Sequence, residues 1–251
     1  MRVSGGQRPV ALIACASLLS ACTDGDALRV FAAASVGQAM EEAGEAWTAR
    51  SGVEVRVTAA GSQVLRRQIE AGAPADVYAP ASFAHLEGAV SERLEAPALL
   101  GCNHPVVVAR PGSSVRALSS LDRAERIVLG APEAPIGAYA DAILARATER
   151  YGEAWRRRVD RRVVSREIDV RQVLTKVQLG EADAAIVYAS DAAGSPLRVA
   201  RIPDGLEVEA RYPVAVVADA PAEARDFARW LREDGFAHLE RHGWTRCEAA
   251  P

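Results

Sequence analysis

Lysine is nearly missing from this chain of 251 residues: Lys176 is its only one, and the other basic side chains are arginines. The formal net charge is −3 and no Lys/Arg block stands out, which argues against a nucleic-acid partner, because binding to phosphates needs clustered cations. There is no G-x-S-x-G elbow, no P-loop and no G-x-G-x-x-G fingerprint, so the usual signatures of acyl transfer and nucleotide binding are absent. Glycine (19) and proline (13) are at ordinary levels, which excludes collagen-like and low-complexity architectures. No internal repeat and no Gly/Ser-rich linker divides the chain. What is present is 49% hydrophobic and 25% charged residues, enough apolar material for a large core, in a length that suits one large domain or two lobes.

The longest apolar stretch near the N-terminus, Pro9–Ala21, follows Arg2 and Arg8 and is too short to span a bilayer. A basic start, a short apolar core and small residues read as a secretory signal over residues 1–21. Leu19-Ser20-Ala21-Cys22 also has the form of a bacterial lipobox, with cleavage before Cys22 and lipid on its sulfur; an ordinary signal with a chance cysteine is the alternative. Cys15 leaves with the signal. Cys102 and Cys247 then remain as one pair in an oxidising compartment, open to a disulfide or, with His104, to a metal site.

Strand and helix patterns alternate through the rest. Strands are expected at 28–32, 53–58, 76–79, 106–109, 127–131, 163–165, 184–188, 198–202 and 212–217. Helices are expected at 36–50, 63–70, 83–93, 137–151 and 169–179, with one or two over 222–242. The order favours parallel α/β units. Two such units without a linker suggest two lobes joined by crossing strands, with a ligand cleft between them.

The candidate functional residues lie at strand-to-helix turns. Ser35, followed three residues later by Gln38, has the spacing of a capping box; the same position offers free N–H groups, a dipole end and a hydroxyl to an anion. Ser62, after Gly61, repeats the arrangement in the next unit. Ile136 and Gly137 open a third helix, and Asp169, as a cap, opens a fourth at Val170. Tyr188 ends the strand AAIVY, where its phenol faces a cleft or packs in the core. His238 and His242 stand four apart on the last helix, without the glutamate placement of a zinc-protease helix. Glu41, Glu42 and Glu45 read as solvated surface. A serine nucleophile would need a base within reach, and no histidine is paired with either serine turn.

The stretches VFAAAS (Val30–Ser35), GSQVLRRQIEAGAPADVY (Gly61–Tyr78), DVRQVL, AAIVYASDA and RYPVAVV, in this order, resemble the periplasmic molybdate-binding proteins of ABC importers. The resemblance covers roughly Leu28 to Trp244. It implies a two-lobed periplasmic-binding-protein-like α/β fold, each lobe a mostly parallel sheet flanked by helices: residues 22–100 plus 212–251 form one lobe and 101–211 the other. It implies a molybdate or tungstate oxyanion held by Ser35, Ser62, the backbone at Ile136 and Val170, and Tyr188. At Ile136 the chain departs from the smaller residue common in relatives, in a turn that looks one residue shorter. No cofactor and no enzymatic activity are implied. The expected partners are the membrane permease of the importer and the membrane itself, through lipid on Cys22; the chain is expected to be a periplasmic or cell-surface monomer that binds no nucleic acid. Another oxyanion, such as sulfate or a phosphonate, is the alternative ligand. A pocket of donors without an acceptor favours a fully deprotonated oxyanion over hydrogen phosphate.

Overall fold

The structure, a computed structural model, describes residues 27–247. The signal segment and Cys22 lie outside the described residues. In chain order the elements are β1 (Leu28–Ala33), α1 (Gly37–Ser51), β2 (Val55–Ala60), α2 (Ser62–Glu70), β3 (Val77–Ala79), β4 (Leu94–Asn103), β5 (Pro105–Ala109), β6 (Ile127–Gly130) and α3 (Pro135–Tyr151). They continue with α4 (Glu153–Arg162), β7 (Val163–Glu167), α5 (Val170–Gln178), β8 (Ala184–Tyr188), α6 (Ala189–Ala192), β9 (Arg198–Arg201), β10 (Ala210–Val217), α7 (Ala222–Arg232) and α8 (Phe236–Arg241).

Two five-stranded sheets form, in the orders β2-β1-β3-β10-β4 and β7-β6-β8-β5-β9. In each, four strands run one way and one, β10 or β5, runs against them. The molecule is therefore two-lobed, with mostly parallel sheets of the same topology. The chain passes from the first sheet to the second between β4 and β5, and returns between β9 and β10. The central strands β1, β6 and β8 are buried almost throughout, which is why they read as continuous apolar runs rather than alternating ones. The amphipathic helices cover them: α2 turns Leu65 and Ile69 inward, and α5 turns Val170, Val173, Leu174 and Val177 inward.

One expected helix is corrected, and two elements that were not expected appear. The segment 83–93 is not an α-helix but two 3-10 turns, Phe83–Leu86 and Gly88–Arg93. Glu87 is extended between them and Gly88 sits at φ +76°, outside the right-handed helical region. The ten-residue strand β4 has no β-branched residue and contains Pro97. It forms because it is an edge strand, where proline is tolerated, and its ladder to β10 is irregular there. α4 was hidden by its polarity: only Trp155 and Val159 are buried, one turn apart. It also gathers Arg156, Arg157, Arg158, Arg161 and Arg162, a basic cluster on a chain that otherwise lacks one. Arg156 pairs with Asp160 and Arg158 with Asp122.

Cys102 on β4 and Cys247 are joined in a disulfide, with Cα atoms 5.1 Å apart. Thr245 bridges to Cys102 beside it, so the C-terminal segment is stitched to the strand that leads into the crossing. Glu209 stands close to both sulfurs, but sulfurs bonded to each other are not thiolate ligands. The metal reading of Cys102, His104 and Cys247 is thereby set aside. The His238/His242 pair is separated too: His242 Nε2 lies 2.8 Å from Glu42 Oε1, and His238 Nδ1 2.7 Å from Arg241. Glu42 is thus engaged rather than simply solvated.

Candidate functional site

A small cavity lies between the sheets at the carboxyl ends of β1, β2, β3, β6, β7 and β8, the edge at which open α/β sheets present ligand sites. Ala33, Ala34 and Ser35 reach it after β1, Gly61 and Ser62 after β2, and Ala81 after β3. From the other sheet come Ala134, Pro135 and Ile136 after β6, Ile168, Asp169 and Val170 after β7, and Tyr188 at the end of β8. Ser35, Ser62, Ile136, Val170 and Tyr188 are thus brought together from two lobes. The cavity has a free volume of about 20 Å³, slightly more than the ~10–15 Å³ one water requires. The space suits a ligand of a few heavy atoms and is far below the several hundred Å³ of an ordinary organic-ligand pocket.

Neither serine caps a helix, contrary to expectation. The chain enters α1 through a 3-10 turn over Ala34–Val36, which places Ser35 inside the turn rather than ahead of the helix, and no side-chain cap forms with Gln38. Instead Ser35 Oγ lies 2.8 Å from the hydroxyl of Tyr212. Ser62 is the first residue of α2, with Gly61 in the cap position. Its Oγ accepts the N–H of Ala81 at 3.0 Å, and its carbonyl accepts the Tyr78 hydroxyl at 2.8 Å. Asp169 does cap: its carboxylate accepts the backbone N–H of Gln172 at 3.0 Å and its Nε2 at 2.9 Å.

The first turns of α2, α3 and α5 open at the cavity. Val170 is the first residue of α5, and Ile136 the second of α3 behind Pro135; N–H groups there have no intrahelical acceptor, and the helix dipole makes these ends favourable to anions. The turn at α3 depends on Gly137, because a Cβ there would lie 1.9 Å from the carbonyl oxygen of Ala131. Ile136 is 2% exposed, so its bulk is taken up largely in the core.

Tyr188 is fully buried, and its hydroxyl, though near that of Tyr212, makes no hydrogen bond of ordinary geometry among the described residues. Burial pushes its pKa well up, so it is a neutral donor. An unpartnered buried hydroxyl in a cavity wall is costly and is the clearest mark of a ligand position. No Lys, Arg or His side chain is among the wall residues. Asp169 is the one charged side chain in the wall, a carboxylate where only donors were expected; Gln172 engages both of its oxygens.

Behind the wall lies a group absent from the sequence reading. Tyr212 of β10 is completely buried, with its ring edge-on to Trp244 (centroids 4.1 Å apart) and Tyr188 (5.7 Å). A tyrosine inside an aliphatic strand needs a partner for its hydroxyl, and that was the available signal. The side chain of Asp191 is fully buried as well. Its Oδ1 lies 3.3 Å from Arg171 Nε, but neither oxygen makes a hydrogen bond. Burial pushes its pKa up to about 7.

The chain matches the family of bacterial extracellular solute-binding proteins over residues 28–245. The molybdate-binding protein ModA of Mycobacterium tuberculosis is 35% identical over 227 residues, 83% of each chain. ModA of Escherichia coli is 34% identical over 244 residues, 90% of this chain and 91% of that one. The periplasmic molybdate-binding protein of Azotobacter vinelandii superposes with a TM-score of 0.76 over 88% of this chain and 100% of its own, at 17% identity, a likeness of fold alone.

Proposed function

This chain belongs to the bacterial extracellular solute-binding proteins, and from that premise we propose that it captures molybdate, or the similar tungstate ion, and delivers it to the membrane permease of an ABC importer. The named relatives are binding proteins for molybdate. The observation that carries the assignment to this site is the orphaned Tyr188 hydroxyl, in a wall of hydroxyls and helix N-termini whose one carboxylate, Asp169, is engaged by Gln172. Buried charge is tolerated only when compensated, and oriented hydroxyls, backbone N–H groups and helix ends compensate an anion without a cationic side chain. The ligand donors are Ser35, Ser62, the N–H groups of Ile136 and Val170, and Tyr188. The small free volume supports a compact inorganic ion over an organic solute. Ser35 and Ser62 are donors and not nucleophiles: the former has Tyr212 as its partner and the latter the Ala81 N–H, neither of which is a base.

The lobes are residues 22–100 with 212–251, and 101–211; the membership of β4 and β10 in one sheet supports this division to within a few residues. The protein acts as a monomer outside the cytoplasm, tethered through lipid on Cys22. Cys22→Ser is expected to release it from membranes in fractionated cells; parent and variant both fractionating as soluble would remove the tether. Ligand identity is tested by calorimetry of the mature protein with molybdate, tungstate, sulfate and phosphate. Tight binding of the first two and weak binding of the others is expected, and a preference for sulfate would overturn the assignment.

A further inference from the structure

We propose that Tyr212 is a specificity-determining positioning residue, which holds Ser35 so that its hydroxyl turns its proton, rather than a lone pair, into the cavity. The inference rests on the oxyanion-binding reading of the cavity.

A serine hydroxyl has one proton to give and two lone pairs to receive. At Ser62 the direction is set, because its partner is a backbone N–H, the Ala81 amide, which can only donate. The proton of Ser62 is therefore left for the cavity. At Ser35 the partner is another hydroxyl, and either oxygen could in principle donate. The surroundings of Tyr212 decide. Its hydroxyl is enclosed, and an unpaired buried donor is costly. The rival acceptors near it are Tyr188 and Asp191, and neither the Tyr188 hydroxyl nor either Asp191 oxygen makes a hydrogen bond of ordinary geometry, whereas Ser35 Oγ stands 2.8 Å away. Ser35 Oγ is the acceptor that remains. Tyr212 donates to Ser35, and Ser35 turns its own proton to the cavity. The two serines, from different turns, are thus polarised alike by unlike means. The phenol ring is held between Trp244 and Tyr188, which fixes the direction of its donation.

The chemical consequence is discrimination by protonation. An oxyanion without a proton accepts from both serines. One that carries a proton needs an acceptor, and Ser35, with its own proton turned to the cavity, meets that proton with a proton.

The test is titration of Tyr212→Phe with molybdate and with phosphate, above the second ionisation of phosphate, so that both ions carry two charges and only phosphate a proton. The ratio of molybdate to phosphate affinity is expected to fall about tenfold, through weaker molybdate binding with phosphate unchanged or improved. In a Ser35→Ala background the same change is expected to leave the ratio where it stands. A parallel loss for both ions, an unchanged ratio, or an undiminished effect in the Ser35→Ala background would each overturn the role. If Tyr212→Phe fails to fold, Tyr212 is replaced by 3-fluorotyrosine, whose stronger donation should raise the ratio; no change would overturn the role. A parent that prefers sulfate to molybdate would overturn the ligand and leave Tyr212 to be judged by the sulfate-to-phosphate ratio. A parent that binds none of these ions would overturn both.

Discussion

The side-chain amide of Gln63 donates to the carbonyl oxygen of Ile168 at 2.7 Å, across the cleft. Gln63 stands in the first turn of α2, and Ile168 between β7 and α5, so this bond closes one sheet unit onto the other. Tyr139 makes a second such contact, from its hydroxyl to the carbonyl of Ala81 at 3.1 Å. Both join backbone that also lines the cavity. The closed arrangement is therefore held by polar contacts at the ligand's rim, and a ligand that touches both walls favours it by its differential affinity.

Gly61→Ala separates closure from folding. A Cβ at Gly61 would lie 2.7 Å from the Ile168 carbonyl oxygen, while φ −57° and ψ 133° suit an alanine. The variant should be as stable as the parent without ligand, or more so by about 0.4–1 kcal/mol, and should bind molybdate at least about tenfold more weakly. Unfolding curves and calorimetry together check both signs.

Ser62→Ala should cost both affinity and stability. A donor to a buried charge is worth about 1.5–3 kcal/mol, or roughly ten- to a hundredfold in affinity. The stability loss comes from the stranded Ala81 N–H, about 1–3 kcal/mol, and not from a helix cap. Ser35→Ala should weaken binding by the same order. Titration and unfolding of each variant separate the two effects; unchanged affinity in the double variant would remove both serines from the site.

Asp191 sets a pH dependence of stability. Its folded pKa is raised from 3.8 to about 7, so between these values the folded state keeps a proton that the unfolded state has lost. Stability from this group therefore falls as pH rises from about 4 to 7, and levels off above. Asp191→Asn should remove that slope, with a gain over the parent that widens from about pH 5 to about pH 8, to the order of a few kcal/mol. Urea unfolding of both proteins at the two pH values measures it.

Reduction of the Cys102–Cys247 disulfide should destabilise the protein by roughly 2–5 kcal/mol, since it closes a long loop, with 145 positions between its ends. Neither cysteine lines the cavity, so molybdate affinity should stay within about twofold of the oxidised protein. Denaturant midpoints with and without reductant, and a titration of the reduced form, check the pair of outcomes.

The alternation of strands and helices was legible in the sequence because it is local: apolar period and turn residues lie within a few positions of one another. The same locality placed Ser35, Ser62, Ile136, Val170 and Tyr188 at sheet ends, and the structure brings them to one cavity. β4 was not legible, since a strand with Pro97 is stable only as an edge beside β10. Nor were the duties of the serine hydroxyls. A serine ahead of a helix reads as a cap, but Ser62 receives its hydrogen bond from 19 positions away and Ser35 finds its partner 177 positions away. The sequence by itself determined which turns carry hydroxyls and free N–H groups, because helix starts are written in a few adjacent residues. Only the tertiary structure decided which way those hydroxyls point, because a hydroxyl proton goes where the nearest fixed donor leaves it room, and the return of β10 to the first sheet supplies that donor for Ser35.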